Sequence, residues 1–336
     1  MVFLAGDVGG TTSRFQWFDN EKDGLLSPVC CYPSDKFPTF VEMLKTLFYE
    51  HDLPAVSNAC FGLPGPVTGS EVVLTNLPWS ISACDLEKKL PISKVKMIND
   101  FQAAALGIDL LQQQDIVCLH QGDFDPNGNR LVIGAGTGLG VAPVYQLAGH
   151  FHPQASEGGH MDFAPVNSEQ RELLQWFQRQ RERVTYEDLL SGAGLKGIYQ
   201  FCFNRQHGSS NSADLSAAQI SSCAENGDTV AQAALKFFVN IYGEFVGNVA
   251  LLWPARAGIY ITGGIGAKIK SWMDNPDFTS YFLNKGNMGA VVGKMPVYLV
   301  LDEFLGLKGA LFMCSKRALL DAASDITMSE LSVCAI

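Results

Sequence analysis

The chain has 336 residues, 47% of them apolar, with a formal net charge of −10 and a pI near 5.1. That much apolar material fills the cores of two ordinary domains and argues against a disordered chain. The acidic balance repels polyanions, which disfavours nucleic acid or an anionic membrane as a partner and favours a small buried ligand.

Nine cysteines, at 30, 31, 60, 84, 118, 202, 223, 314 and 334, are odd in number and never at the C-x-x-C separation. They read as reduced thiols of a cytoplasmic protein. The N-terminus carries no basic region and meets Asp7 after five apolar residues past Met1, so no signal peptide is read. No apolar run reaches the roughly 18 to 20 residues that span a bilayer.

In chain order, residues 1 to 6 and Arg14 to Asp19 are apolar or alternating runs on either side of glycines, with an Asp19-Asn20 turn behind: strand, tight turn, strand. Phe37 to Phe48 spaces its apolar residues by three and four after Ser34 and Asp35 as caps, an amphipathic helix. Strands are expected at Ala55 to Gly62, Glu71 to Thr75 and Lys94 to Ile98, so the first hundred residues mix hairpins and helices as an α/β unit does. A second strand, glycine turn and strand runs from Arg130 to Tyr145. Helical stripes follow at Glu169 to Arg181, Thr185 to Leu190 and Asp228 to Trp253. The strand Gly258 to Thr262 leads into Gly263-Gly264-Ile265-Gly266, and the strand Pro296 to Leu301 leads into a helix from about Leu305 to Leu320. This division gives a small domain of residues 1–110 plus about 301–320, a large domain of 111–300, and a frayed tail at 321–336.

Gly6-Asp7-Val8-Gly9-Gly10-Thr11-Thr12 is the first glycine turn. Glycine lets backbone N–H groups approach an anion unobstructed, and such a turn can point several of them inward as a nest. Asp7 at the strand end suits a magnesium ion held through its water shell, and Thr11 and Thr12 add hydroxyls. The bland alternative is a plain hairpin turn. In the second turn, Gly134-Ala135-Gly136-Thr137-Gly138-Leu139-Gly140, the third glycine of G-x-G-x-x-G falls on Leu139, and a strand rather than a helix follows, which disfavours a dinucleotide fold. No G-x-x-x-x-G-K-[ST] occurs either.

Three clusters carry further polar chemistry. Asn99 and Asp100 sit where a strand runs into a helix, either as N-cap residues or as a carboxylate placed to accept a proton from a hydroxyl. Ser156-Glu157-Gly158-Gly159-His160-Met161-Asp162 reads as a metal site or, better, as hydroxyl recognition by Glu157 and His160. Thr185-Tyr186-Glu187-Asp188 reads as a near capping box, with Glu187 a first-turn acid.

These residues resemble the superfamily of actin, hexokinase and sugar kinases. Gly6–Thr11 is similar to its first phosphate motif, Gly134–Gly140 to its second, and Gly263-Gly264-Ile265 to the glycine pair beside the adenosine. Similarity to bacterial-type glucokinases extends over roughly residues 3 to 318. The resemblance implies an α/β, two-domain actin-like or hexokinase-like ATPase fold with an interdomain cleft, and transfer of the terminal phosphate of ATP to the 6-hydroxyl of glucose. It implies Asp100 as base, with Asn99, Asp100, Glu157, His160 and Glu187 on the sugar. For ATP it implies Asp7, Gly9, Gly10, Thr11, Thr12, Gly136, Thr137, Gly138, Gly263 and Gly264, with Mg²⁺ reached from Asp7 through water, and it implies a homodimer. The first phosphate loop departs from the usual Gly-Gly-Thr-Asn by ending in Thr12, which lacks the amide's second donor. Another hexose as acceptor, an ATPase-fold chaperone or filament subunit, and a sugar sensor without chemistry are the alternatives.

Overall fold

A computed structural model describes residues 1–19, 26–67, 69–74, 77–208 and 213–323. The chain divides into two compact units, Met1–Leu110 with the C-terminal stretch from Phe304, and Leu111–Glu303.

The first unit is a five-stranded sheet in the order β3-β2-β1-β4-β7, built from β1 (Val2–Val8), β2 (Thr12–Asp19), β3 (Cys30–Pro33), β4 (Val56–Leu63) and β7 (Val95–Asn99); β5 (Glu71–Val73) and β6 (Ser80–Ser82) form a separate ribbon. The first three strands are antiparallel, and β4 and β7 run parallel to β1. β1 is buried on both faces, so its apolar residues divide by parity. Val2, Leu4 and Val8 enter one core with Phe40, Met43, Leu44 and Leu47 of α1 (Phe40–Glu50). Phe3 and Ala5 enter another with Ala103 of α3 (Asp100–Gly107) and with Leu307 and Ala310 of the C-terminal helix Leu305–Ala323. Each large apolar side chain fully buried in this way contributes about 1.5–3 kcal/mol.

The second unit repeats the plan. Its sheet runs β11-β10-β9-β12-β13-β8, from β8 (Ile116–His120), β9 (Arg130–Ala135), β10 (Leu139–Leu147), β11 (His150–Pro153), β12 (Ile259–Thr262) and β13 (Val297–Val300). Again three strands are antiparallel and the next two parallel, with β8 added antiparallel at the edge. The core lies under α4 (Ser168–Phe177), α5 (Gly192–His207), α6 (Ala217–Glu225) and α7 (Thr229–Leu252).

Several local expectations change. The first helix begins at Phe40, capped by the Thr39 hydroxyl, because Phe37 precedes Pro38 and is held extended. Ser34 and Asp35 form a short 3₁₀ turn ahead of it. Thr185–Leu190 is a single hydrogen-bonded turn and no helix; the glycines that follow begin α5 at Gly192, with Ser191 as its cap. The helix at 169 stops at Phe177. The last helix runs on to Ala323, whereas the remainder of the expected tail, like Asn20 and Thr75, lies outside the described residues. α7 is long and apolar enough to cross a bilayer by length and composition, although Lys236 and Glu244 interrupt any purely apolar run; 67% of its most apolar window is buried within the protein.

Candidate active site

The first glycine turn joins β1 to β2 and is drawn tight by its own backbone, Gly9 N–H donating to Thr12 O at 3.1 Å. A Cβ on Gly9 would stand 2.7 Å from that oxygen. Sequence reasoning missed what fastens the turn. Ser34 is fully buried; its hydroxyl donates to Gly9 O at 2.7 Å and lies 2.9 Å from the Ser13 hydroxyl, and its N–H donates to Thr11 O at 2.9 Å. A lone serine upstream of a helix looks like a cap, so only the pairing of β2 with β3 reveals this clamp. Thr11 is exposed at the tip, and Thr12 begins β2.

Asp7 lies within β1, one residue earlier than a strand end, opposite Arg14, whose guanidinium is 3.8 Å from the carboxylate. The side chain keeps 20% of its surface open, yet crowding by protein pushes its pKa up from the ordinary carboxylate value, and Arg14 offsets part of that rise. The backbone of Gly306, in the first turn of the C-terminal helix, approaches so closely that a Cβ there would be 3.2 Å from the carboxyl carbon.

Asn99 is the N-cap of α3. Its Oδ1 accepts from Phe101 N–H and Gln102 N–H, Gln102 Oε1 accepts from Asn99 N–H in return, and Asn99 Nδ2 donates to Gly65 O. The capping reading is therefore true of Asn99, and the cap orients the next residue. Asp100 is partly exposed at the first helical position, where the helix dipole favours a charged carboxylate.

In the second unit the turn between β9 and β10 has the same form. Gly136 N–H donates to Gly138 O at 2.8 Å, and Gly136 O accepts the N–H of Gly192 at the start of α5. The N–H groups of Gly9 and Gly136 are thus spent inside their turns, and these two residues serve by shape. Thr137 is exposed. Gly263 follows β12 with φ of 92° against Ala135 O, a left-handed conformation that a side chain would strain, and it opens the short helix α8 (Gly264–Lys268). Gly136, Thr137, Gly192, Gly264 and Lys268 share the lining of a cavity of about 490 Å³ floored by Leu195 and Ile269.

Glu157 and His160, twenty-seven or more positions ahead of Glu187, come together with it. His160 Nε2 is 3.9 Å from both Glu157 Oε2 and Glu187 Oε1. The loops are stitched by Glu187 N–H to Gly159 O at 3.0 Å and Tyr186 N–H to Met161 O at 2.9 Å. Gly159 has no room for a side chain, since a Cβ there would fall on the Leu139 carbonyl. Glu187 Oε2 also accepts the N–H of Leu139 at 2.8 Å, which ties this cluster to the second glycine turn. Asp162 is paired with Arg183, and Asp188 with Arg181 and Thr185, so neither adds a ligand to a metal shell. Among the described residues no group of three His, Cys, Asp or Glu side chains could hold a metal ion.

A separate cavity of about 500 Å³ in the second unit, lined by Gln170, Arg205, Lys236 and Tyr281, contains none of these residues. Its cations are already paired, Arg205 with Glu169 and Lys236 with Asp277.

A family model described as Glucokinase matches residues 4–317. The glucokinase of Nostoc sp. (strain PCC 7120) is 32% identical over 340 residues, covering 94% of this chain and 99% of its own, and that of Colwellia psychrerythraea is 34% identical over 315 residues, covering 92% and 95%. Among solved structures, a glucokinase from an Antarctic psychrotroph is 30% identical with a TM-score of 0.79 over 94% of this chain and 99% of its own. A Balamuthia mandrillaris glucokinase in complex with glucose, 22% identical, has the same fold with a TM-score of 0.80 over 93% of each chain. The architecture is accordingly the α/β, actin-like two-domain ATPase fold, its repeated sheet matching these neighbours. Since the match runs almost end to end and takes in both glycine turns and the acids at Asp100, Glu157 and Glu187, the chain belongs to the glucokinase family.

Proposed function

We propose that this protein is an ATP-dependent glucokinase that moves the γ-phosphate of ATP to the 6-hydroxyl of glucose. The observation that carries the reading is the convergence of Glu157, His160 and Glu187 beside the second glycine turn. Carboxylates and an imidazole so placed accept and donate hydrogen bonds to neighbouring sugar hydroxyls, and a sugar lacking one leaves unpaired an acceptor that the bound sugar has covered. That favours glucose over other hexoses, and a panel of sugars tests the order of preference.

In the proposed reaction the sugar is oriented by Asn99, Glu157, His160 and Glu187, and its 6-hydroxyl meets Asp100. Asp100 accepts the hydroxyl proton as the bond from O6 to the γ-phosphorus forms and the bond from that phosphorus to the bridging oxygen of ADP breaks. The turns at Gly9–Thr12 and Gly136–Gly138 hold the phosphates, and the cavity beside Gly263 and Gly264 takes the adenosine. Asp7 suits Mg²⁺ bound through water: its carboxylate is crowded by protein, which disfavours its bare charge, and the Arg14 guanidinium 3.8 Å away offsets only part of that cost. When bound, the ion supplies charge neutralisation on the phosphates. The scattered cysteines, unbridged among the described residues, support a cytoplasmic protein, and the family resemblance supports a homodimer.

Asp100→Asn tests the base. Turnover should fall by about 10²- to 10⁴-fold, the usual span for general-base removal, with glucose and nucleotide binding retained in calorimetry. Turnover within tenfold of wild type would remove Asp100 from the role.

A further inference from the structure

Glu187 divides its carboxylate between two tasks. Oε2 accepts the N–H of Leu139, the residue that leaves the second glycine turn, at 2.8 Å, and stands 2.6 Å from where a Cβ on Gly138 would lie. Oε1 faces His160 Nε2 at 3.9 Å, on the side where Glu157 also approaches. The rest of the residue is fixed: its N–H is bound to Gly159 O, and the turn that carries it leads through Ser191 into α5, whose Gly192 N–H grips Gly136 O. One carboxylate therefore closes a ring that contains the loop at 158–160, the turn at 185–190 and the glycine turn at 136–138.

We infer that Glu187 is a positioning residue for the nucleotide as well as a ligand of the sugar, and that it couples the two substrates. This rests on the glucokinase reading above. The physical cause is torsional. The terminal torsion of a glutamate is broad, so a carboxylate bonded at one oxygen and one-third open to solvent exchanges its oxygens readily. A sugar hydroxyl donating to Oε1 restricts that rotation and keeps Oε2 on Leu139, so the phosphate turn is held in one arrangement for more of the time. Linkage makes the effect reciprocal: glucose strengthens nucleotide binding by the same factor as nucleotide strengthens glucose binding.

The test is the affinity for Mg²⁺ and AMPPNP, a non-transferring ATP analogue, measured by calorimetry with and without saturating glucose. Wild type should bind AMPPNP more tightly with glucose present. Glu187→Ala should weaken AMPPNP by about tenfold even without sugar, the effect of losing a hydrogen bond to a charged acceptor, and its two affinities should become equal. Glu187→Gln should restore the sugar-free affinity, because the amide carbonyl can still accept from Leu139. A residue that served the sugar alone would leave sugar-free AMPPNP binding unmoved, so wild-type affinity in Glu187→Ala overturns the inference, as does failure of the glutamine to rescue it. Thermal melts identify a variant that has lost its fold, and Glu187→Gln then carries the comparison by its glucose-dependent ratio, which must fall below that of wild type. If wild type binds neither AMPPNP nor glucose, it is the glucokinase reading that fails.

Discussion

Asp7 shows how a single residue sets stability against function. Burial raises its pKa above the ordinary 3.8, with Arg14 offsetting only part of the rise. For a group whose folded-state pKa is raised, the favourable contribution is complete below the unfolded value and is lost as pH rises through the folded one. At any pH above the unfolded value, burial of Asp7 in the ligand-free protein therefore costs stability. Asp7→Asn should raise the thermal midpoint at pH 7.5 in the absence of Mg²⁺ and nucleotide, the gain should shrink toward zero near pH 4, and activity should be lost. A midpoint that falls at pH 7.5 would mean that the attraction to Arg14 outweighs burial. The same residue marks what sequence makes legible. Asp7 stands out as a carboxylate beside glycines and Glu187 as a first-turn acid, but the partners that give each its character, Arg14 and Leu139 N–H, lie at positions where nothing in the local pattern marks them.

At the scale of elements, the two glycine turns differ in what secures them. The second is held by the N-terminus of α5, whereas the first depends on Ser34, reached across β2 and β3. Ser34→Ala leaves Gly9 O and the Ser13 hydroxyl without this partner in a buried setting, a loss of about 1–3 kcal/mol. The midpoint of thermal unfolding should drop accordingly, and steady-state kinetics should show a severalfold higher KM for ATP with a smaller change for glucose. Equal rises in both would assign Ser34 to general stability. Strands and long helices were readable because their apolar periods are strong, as in α7 and in the β9–β10 hairpin. The turn at 185–190 was not, since Tyr186, Leu189 and Leu190 have helical spacing but are buried against the core of the second unit, and the capping acid Asp188 serves Thr185 within one turn only. β8 and β11 also escaped notice, being short edge strands with partly exposed faces.

For the molecule as a whole, the recurrence of strand, glycine turn and strand in the sequence corresponds to two sheets that share a five-strand order, the second with β8 added at its edge, each with its own core. Among the described residues, the core under α4 to α7 draws only on residues between Leu111 and Glu303, a continuous stretch of chain, while the cores around β1 draw on Met1–Leu110 and the C-terminal stretch from Phe304. Continuity and a private core are the conditions for independent folding. A fragment of residues 111–303 should therefore unfold in a single cooperative transition followed by circular dichroism. The fragment retains the turn at Gly136–Gly138, the cavity beside Gly264 and the cluster of Glu157, His160 and Glu187. AMPPNP should accordingly raise its midpoint, by mass action on the folded form. It lacks Asp7, the first glycine turn and Asp100, and so should show no glucose-dependent release of ADP from ATP. A folded fragment that AMPPNP does not stabilise would mean that nucleotide affinity depends on the turn at Gly9–Thr12, and the cavity beside Gly264 alone would then be too weak a hold.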